Sequence, residues 1–219
     1  MRVRVIGVCI LVIIIASLAI AQAPSDFHPD LKLRGNRFKP LTWDELTPAQ
    51  KTMAEHMVMG ERGGMPGPFN VALRSPEAGD LAQRFGIQQR NHTTLPVRLN
   101  EFAIIMVARY WRAQFEWGEH RKAALAAGLS PTIIDAVAVG ERPASMQPDE
   151  QVVYNFANEL LERRQVSDAN FKAAKDMFGE RGVVDLTGIM GYYCWVAMML
   201  DVDQYPVADG TKPELKPLP

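Results

Sequence analysis

Cysteine is almost absent from this chain. Of two cysteines in 219 residues, Cys9 sits in an apolar N-terminal run, leaving Cys194 alone in the remainder. A lone thiol forms no internal disulfide, so the fold has to rest on its hydrophobic core. Charge of either sign is also scarce in excess. Twenty-four basic residues face 25 acidic ones, for a formal net charge of −1. No basic run occurs, which argues against nucleic acid or an anionic lipid surface as partner. The four histidines, His28, His56, His92 and His120, have no metal-ligand spacing to one another, so no metal site is expected. Surface or packing roles suit the first three. No stretch alternates apolar and polar residues as a strand would, no repeat of solenoid length occurs, and only the tail is of low complexity.

Hydrophobic residues make up 47% of the chain, enough for an ordinary globular core. At the start, Arg2 and Arg4 precede the apolar run Val5 to Ile20, and Ala21-Gln22-Ala23 has the small-x-small pattern of a cleavage site. This is the plan of a secretory signal peptide over residues 1–23 and predicts a periplasmic or secreted protein. An uncleaved membrane anchor is the competing reading, because the run approaches the roughly 20 residues that a spanning helix needs. Cleavage removes Arg2 and Arg4, so 22 basic residues then face 25 acidic ones, a formal −3. Cys9 lies within the run and not after it, which argues against a lipoprotein.

Residues 24–46 read as an extended arm before an all-α domain of about seven helices over residues 47–204. Thr47 and Gln50 form a capping-box pattern with Pro48 at the first helical position, so a helix begins there. GERGGMPGPF, residues 60–69, reads as a loop. Ser75-Pro76 opens a helix that Gly86 is expected to close, and Gly128 ends the apolar heart of the chain, Leu95 to Ala127. Further helices are expected from Pro131 to Gly140 and from Pro148 to Leu161. Two more run from Ser167 to Gly179 and from Val183 to Leu200. The proline-rich tail, residues 205–219, cannot continue a helix and is expected along a surface.

Within the apolar heart, FEWGEH places Glu116 and His120 four residues apart, on one helix face. A carboxylate beside an imidazole makes a proton donor–acceptor pair, but such pairs also occur on exposed helix faces. Glu101 precedes the apolar run Phe102 to Val107, and a carboxylate near a core needs a partner. One continuous helix would hold Glu101 and His120 roughly 28 Å apart at about 1.5 Å per residue. They meet only if the chain breaks near Tyr110–Gln114, where no glycine or proline marks a break. Arg109 and Arg112 are candidates for binding a substrate carboxylate, against the plainer reading of solvated or ion-paired residues. Phe69, Asn70 and Trp117 are candidates for the pocket wall, although the set Tyr110, Trp111, Phe115 and Trp117 also suits a core or a subunit interface. Cys194 reads most simply as a small buried hydrophobe.

The segments GPFNVALRSPE (67–77), LPVRLNEFAIIMVARYWRAQFEWGEH (95–120) and AALAAGLSPTIIDAV (123–137) resemble the carboxymuconolactone decarboxylase superfamily, which includes the AhpD-like alkylhydroperoxidases. The resemblance spans most of residues 50–200. In the AhpD-like branch a glutamate precedes a Cys-x-x-Cys-x-x-x-His motif on the next helix, and the glutamate, second cysteine and histidine relay protons. Counted back from His120, those cysteine positions fall on Ala113 and Glu116, and the glutamate falls on Glu101. The resemblance therefore implies the chain break, and a site of Glu101, Glu116 and His120. It also implies assembly as a trimer or hexamer. Disulfide-forming peroxide reduction needs two thiols that this chain lacks, so a thiol peroxidase is not expected. What remains looks like the decarboxylase branch, which uses no metal or organic cofactor. The expectation is decarboxylation or a related proton transfer on a small lactone or a keto or unsaturated acid. In that expectation Glu116 orients His120, and Glu101 serves as second acid–base group or holds the histidine charge. A non-catalytic, ligand-binding relative, with the three side chains merely satisfying one another, is the alternative.

Overall fold

The computed structural model describes residues 27–207 and 212–216. The expected signal segment and its cleavage site lie outside the described residues. Among those described there are eight α-helices and no strand. A 3-10 turn at Trp43–Glu45 precedes α1 (Pro48–Met59), α2 (Phe69–Ala72), α3 (Pro76–Asn91) and α4 (Val97–Trp111). Then follow α5 (Gln114–Ala126), α6 (Pro131–Ala138), α7 (Pro148–Arg163) and α8 (Asp168–Asp203).

Helix α4 is the centre. Every residue from Leu99 to Arg109 is buried, as expected of a helix that is apolar nearly all round. It packs against α5, α6, α7 and α8. Arg98, at its start, ties it to α7 through Asp149 at 2.6 Å and through the buried Glu150. A second, smaller core gathers Leu31, Trp43, Leu46, Met53, Met57, Phe69 and Leu73 beneath the N-terminal arm. The buried carboxylate of Asp203 holds that arm, accepting from the backbone N–H of Asn36 and, at 2.8 Å, of Phe38.

The helix count differs from the expected seven at three places. Within the expected loop, Phe69–Ala72 closes into one helical turn, all four residues buried. The apolar heart divides into α4 and α5 at Arg112, which takes the left-handed conformation (φ 56°) while the Ala113 N–H caps the Ala108 carbonyl at 2.9 Å. The last two expected helices stack end to end as α8, with a kink at Gly179 (φ 70°). Gly86 does not close α3. It lies inside the helix, where the Tyr192 ring occupies the space that a Cβ would need, so a packing requirement explains that glycine.

Helix α8 is long and apolar enough by composition to cross a membrane, yet half of its most apolar window is buried. Leu186, Ile189, Met190, Ala197 and Leu200 belong to the core. The tail does more than lie along a surface. Leu215 is buried, and its backbone exchanges two hydrogen bonds with the Gln114 side chain, at 2.7 and 3.0 Å.

Candidate functional site

The break at Arg112 folds α5 back onto α4 and brings Glu101 to His120. Glu101 Oε2 and His120 Nδ1 are 2.7 Å apart, with both residues buried. A carboxylate accepts, so Nδ1 carries the hydrogen, and in the neutral ring Nε2 is the nitrogen with the lone pair. Nε2 has no partner among the described residues. The ring is also held edge-on by Tyr193, centroids 4.7 Å apart.

His120 lines a cavity of about 210 Å³ together with Glu116 and Phe115 of α5, Tyr192 and Tyr193 of α8, and Phe69 of α2. The loop before α2 closes one side through Arg62 and Pro66–Pro68, and Arg90 of α3 closes another. Glu116 differs from the expectation that it would orient the histidine. Nδ1 is taken by Glu101, and both Glu116 carboxyl oxygens are buried without a hydrogen-bond partner. Burial, reinforced by the charge of Asp201, pushes the Glu116 carboxyl well above its ordinary 4.5. Desolvation opposes the charged form, so the site favours the protonated carboxyl of Glu116. Burial likewise pushes the Tyr193 hydroxyl upward, so it stays a hydrogen-bond donor. The cavity thus joins an imidazole nitrogen without a partner to a carboxyl whose surroundings favour its protonated form.

Four expected pocket residues lie elsewhere. Arg109 donates to the Lys216 carbonyl at 2.9 Å and lines a separate cleft with Tyr154 and Leu161 of α7. Arg112 caps α4 and faces a shallow cleft with Asp201 and Gln114. Asn70 is buried against the arm, donating to the Phe38 carbonyl at 2.7 Å. Trp117 donates its indole N–H to Glu214 of the tail at 2.9 Å. Helical phase explains the last placement, since Trp117 is one residue from Glu116 and so points about 100° away. Phe69 does reach the cavity wall.

Arg62, Arg90, Tyr192 and Tyr193 were not singled out in the sequence. The glycine-rich loop was the one signal pointing towards Arg62. Nothing marks Arg90, and the tyrosines read as part of an ordinary apolar helix. Each of the other histidines meets a carboxylate: His28 with Asp44, His56 with Asp80 and His92 with Glu61. Among the described residues, no group of three or more His, Cys, Asp or Glu side chains is placed to hold a metal ion. Cys194 is half-buried on α8 and is not part of the cavity wall.

No protein-family model matches the sequence, and no curated protein matches it. Solved structures do match its fold. An AhpD-core, peroxidase-related protein from Ralstonia eutropha aligns with TM-score 0.64 at 14% identity, over 79% of this chain and 92% of that one. A peroxidase-related protein from Silicibacter sp. aligns with TM-score 0.61 at 13% identity, over 80% and 92%. A cysteine-to-alanine variant of the debrominase Bmp8, bound to 2,3,4-tribromopyrrole, aligns with TM-score 0.60 at 10% identity, over 78% and 91%. At such identities the likeness is one of architecture, and the chain has the AhpD-like helical fold.

Proposed function

We propose that this protein is an enzyme of acid–base chemistry acting on a small carbonyl compound, a lactone or a keto or unsaturated acid. The observation that carries the reading is a single cavity holding both His120, oriented by Glu101, and Glu116, buried with neither carboxyl oxygen hydrogen-bonded. Nε2 takes a proton from the carbon beside the substrate carbonyl, and the C–H electron pair moves into an enolate. Glu116 donates a hydrogen bond to the enolate oxygen, a stabilisation worth most in a water-poor site. The proton then returns from Nε2 to the same or a conjugated carbon. In a decarboxylation the electrons of the breaking C–CO2 bond enter the same enolate, carbon dioxide leaves, and Glu116 protonates the carbon before regaining a proton from water. No cofactor is needed for either course. We place the protein outside the cytoplasm, after removal of residues 1–23, as a homo-oligomer of three or six chains.

The alternative reading, a ligand-binding relative without catalysis, draws on the depth of the Glu101–His120 pair, which is placed much as a satisfied structural pair would be. A thiol peroxidase is disfavoured because Ala113 and Glu116 stand where the thiols would be. Peroxide consumption that survives Cys194→Ser would reopen that question. A thermal-shift screen of lactones, keto acids and unsaturated carboxylates separates the first two readings. A compound at about 100 times its dissociation constant adds roughly 2.7 kcal/mol of stability. Enzyme chemistry requires that the stabilising compound also be turned over, and that Glu116→Gln bind it with a lowered rate of turnover. Binding with no change in the compound supports the alternative.

A further inference from the structure

Arg62 and Arg90 face the same cavity from different elements, the loop after α1 and the end of α3. Neither forms an ion pair with a carboxylate among the described residues. Arg62 donates to the Gln83 carbonyl at 3.2 Å and to the Tyr192 hydroxyl at 3.4 Å, and its guanidinium lies over the Phe69 ring, 4.6 Å from the centroid. These contacts fix its position without pairing its charge to a carboxylate. The nearby Glu61 is taken by Asn91 at 2.6 Å and His92 at 2.9 Å. The charge of Arg90 reaches both Tyr192 and Tyr193, whose hydroxyls it pulls down against the effect of burial.

The acids of the cavity leave that positive charge standing. Glu101 lies behind the His120 ring and does not line the cavity, burial disfavours the charged form of Glu116, and the exposed Glu119 at the rim is bridged to Lys122 at 3.0 Å. Two guanidinium groups without an ion-pair partner, one half-buried and one exposed, converge on a recess suited to one added negative charge. Planar guanidinium groups match carboxylate geometry. The volume, about 210 Å³, is below the usual range for drug-sized ligands and restricts the occupant to a compact molecule.

We infer that Arg62 and Arg90 are the carboxylate-binding residues of this cavity, and that its substrates are small monocarboxylates which present their carbonyl to His120 and Glu116. The substrate class rests on the acid–base reading above, while carboxylate binding by the two arginines stands without it. Arg62, anchored on Tyr192 and Phe69, sets the direction from which the acid enters. Arg90, more exposed, adds attraction from the rim.

The test is calorimetric titration of the full chain with acetate, pyruvate, benzoate and cinnamate, each beside its primary amide. At least one acid is expected to bind while its amide does not. Arg90→Gln and Arg62→Gln should each weaken that binding at least tenfold, which is about 1.4 kcal/mol, and Arg62→Lys should restore part of it. Arg90 is exposed, so its replacement tests the inference even if Arg62→Gln disturbs the wall. Failure of all four acids to bind, amides binding as well as acids, or an Arg90→Gln protein with unchanged affinity would each overturn it. Deuterium uptake by pyruvate, followed in the same samples, reports on the acid–base reading separately. Binding without exchange leaves the carboxylate site standing and counts against the chemistry, and exchange without arginine dependence does the reverse.

Discussion

Glu116 is the residue on which stability and function pull in opposite directions. Its carboxyl is raised above its ordinary 4.5 by burial and by Asp201. Below 4.5 both native and unfolded chains hold the proton. As pH rises from there towards the raised native value, the unfolded chain releases the proton and the native chain keeps it, so stability falls through that window. Glu116→Gln copies the shape of the neutral acid and cannot ionise. Denaturant unfolding at pH 5 and pH 8 should show less loss of stability in this variant than in the wild type. Equal losses would mean that Glu116 is already ionised in the folded protein. For the pair behind the cavity, Glu101→Gln should reduce turnover on the order of 100-fold with modest loss of stability. His120→Ala, which strands a buried carboxylate, should cost about 3–5 kcal/mol.

The helix junctions show what the sequence discloses and what it hides. Start signals are legible. The Thr47–Gln50 box forms as expected, with the Thr47 N–H donating to the Gln50 side chain at 2.9 Å, and Pro76, Pro131 and Pro148 each open a helix. The stop at Arg112 is hidden, because an arginine adopts the left-handed conformation there without the usual glycine. Left-handed backbone costs a side-chain-bearing residue roughly 1–2 kcal/mol, and tertiary packing of α5 on α4 outweighs that. Arg112→Gly should therefore stabilise the protein by about 0.5–1 kcal/mol after the glycine's greater unfolded freedom is counted, and Arg112→Val should destabilise it. Thermal melts of the two variants check the sign. At the other end of α4, Arg98→Ala leaves the buried Glu150 without its cation and should cost about 3 kcal/mol, read from the denaturation midpoint.

On the scale of the whole molecule, the cavity is assembled from pieces far apart in sequence. Glu101, Glu116 and His120 could be placed together because one resemblance supplied the break between two helices. Arg62 and Arg90 could not, since their approach depends on how α3 and the glycine-rich loop pack against α8. The tail illustrates the same limit. Proline content predicts the absence of helix, but not that Leu215 enters the core while Glu214 accepts from Trp117 of α5. A chain ending at Val207 should lose roughly 3 kcal/mol from the missing burial of Leu215 and the unpaired Gln114 and Trp117 groups. Tryptophan fluorescence during unfolding would register the loss. Unchanged stability would mean that the tail contributes nothing to holding α5 in place.

Proton transfer at carbon is the central claim, and solvent exchange measures it most directly. The protein is incubated in deuterium oxide with the panel of small keto and unsaturated acids, and loss of the carbon-bound proton signals beside the carbonyl is followed by NMR. The predicted result is protein-dependent exchange into at least one acid, abolished by His120→Gln and slowed on the order of 100-fold by Glu101→Gln. Exchange no faster than in buffer for every acid, or exchange indifferent to His120→Gln, would contradict it and leave Glu101 and His120 as a structural pair.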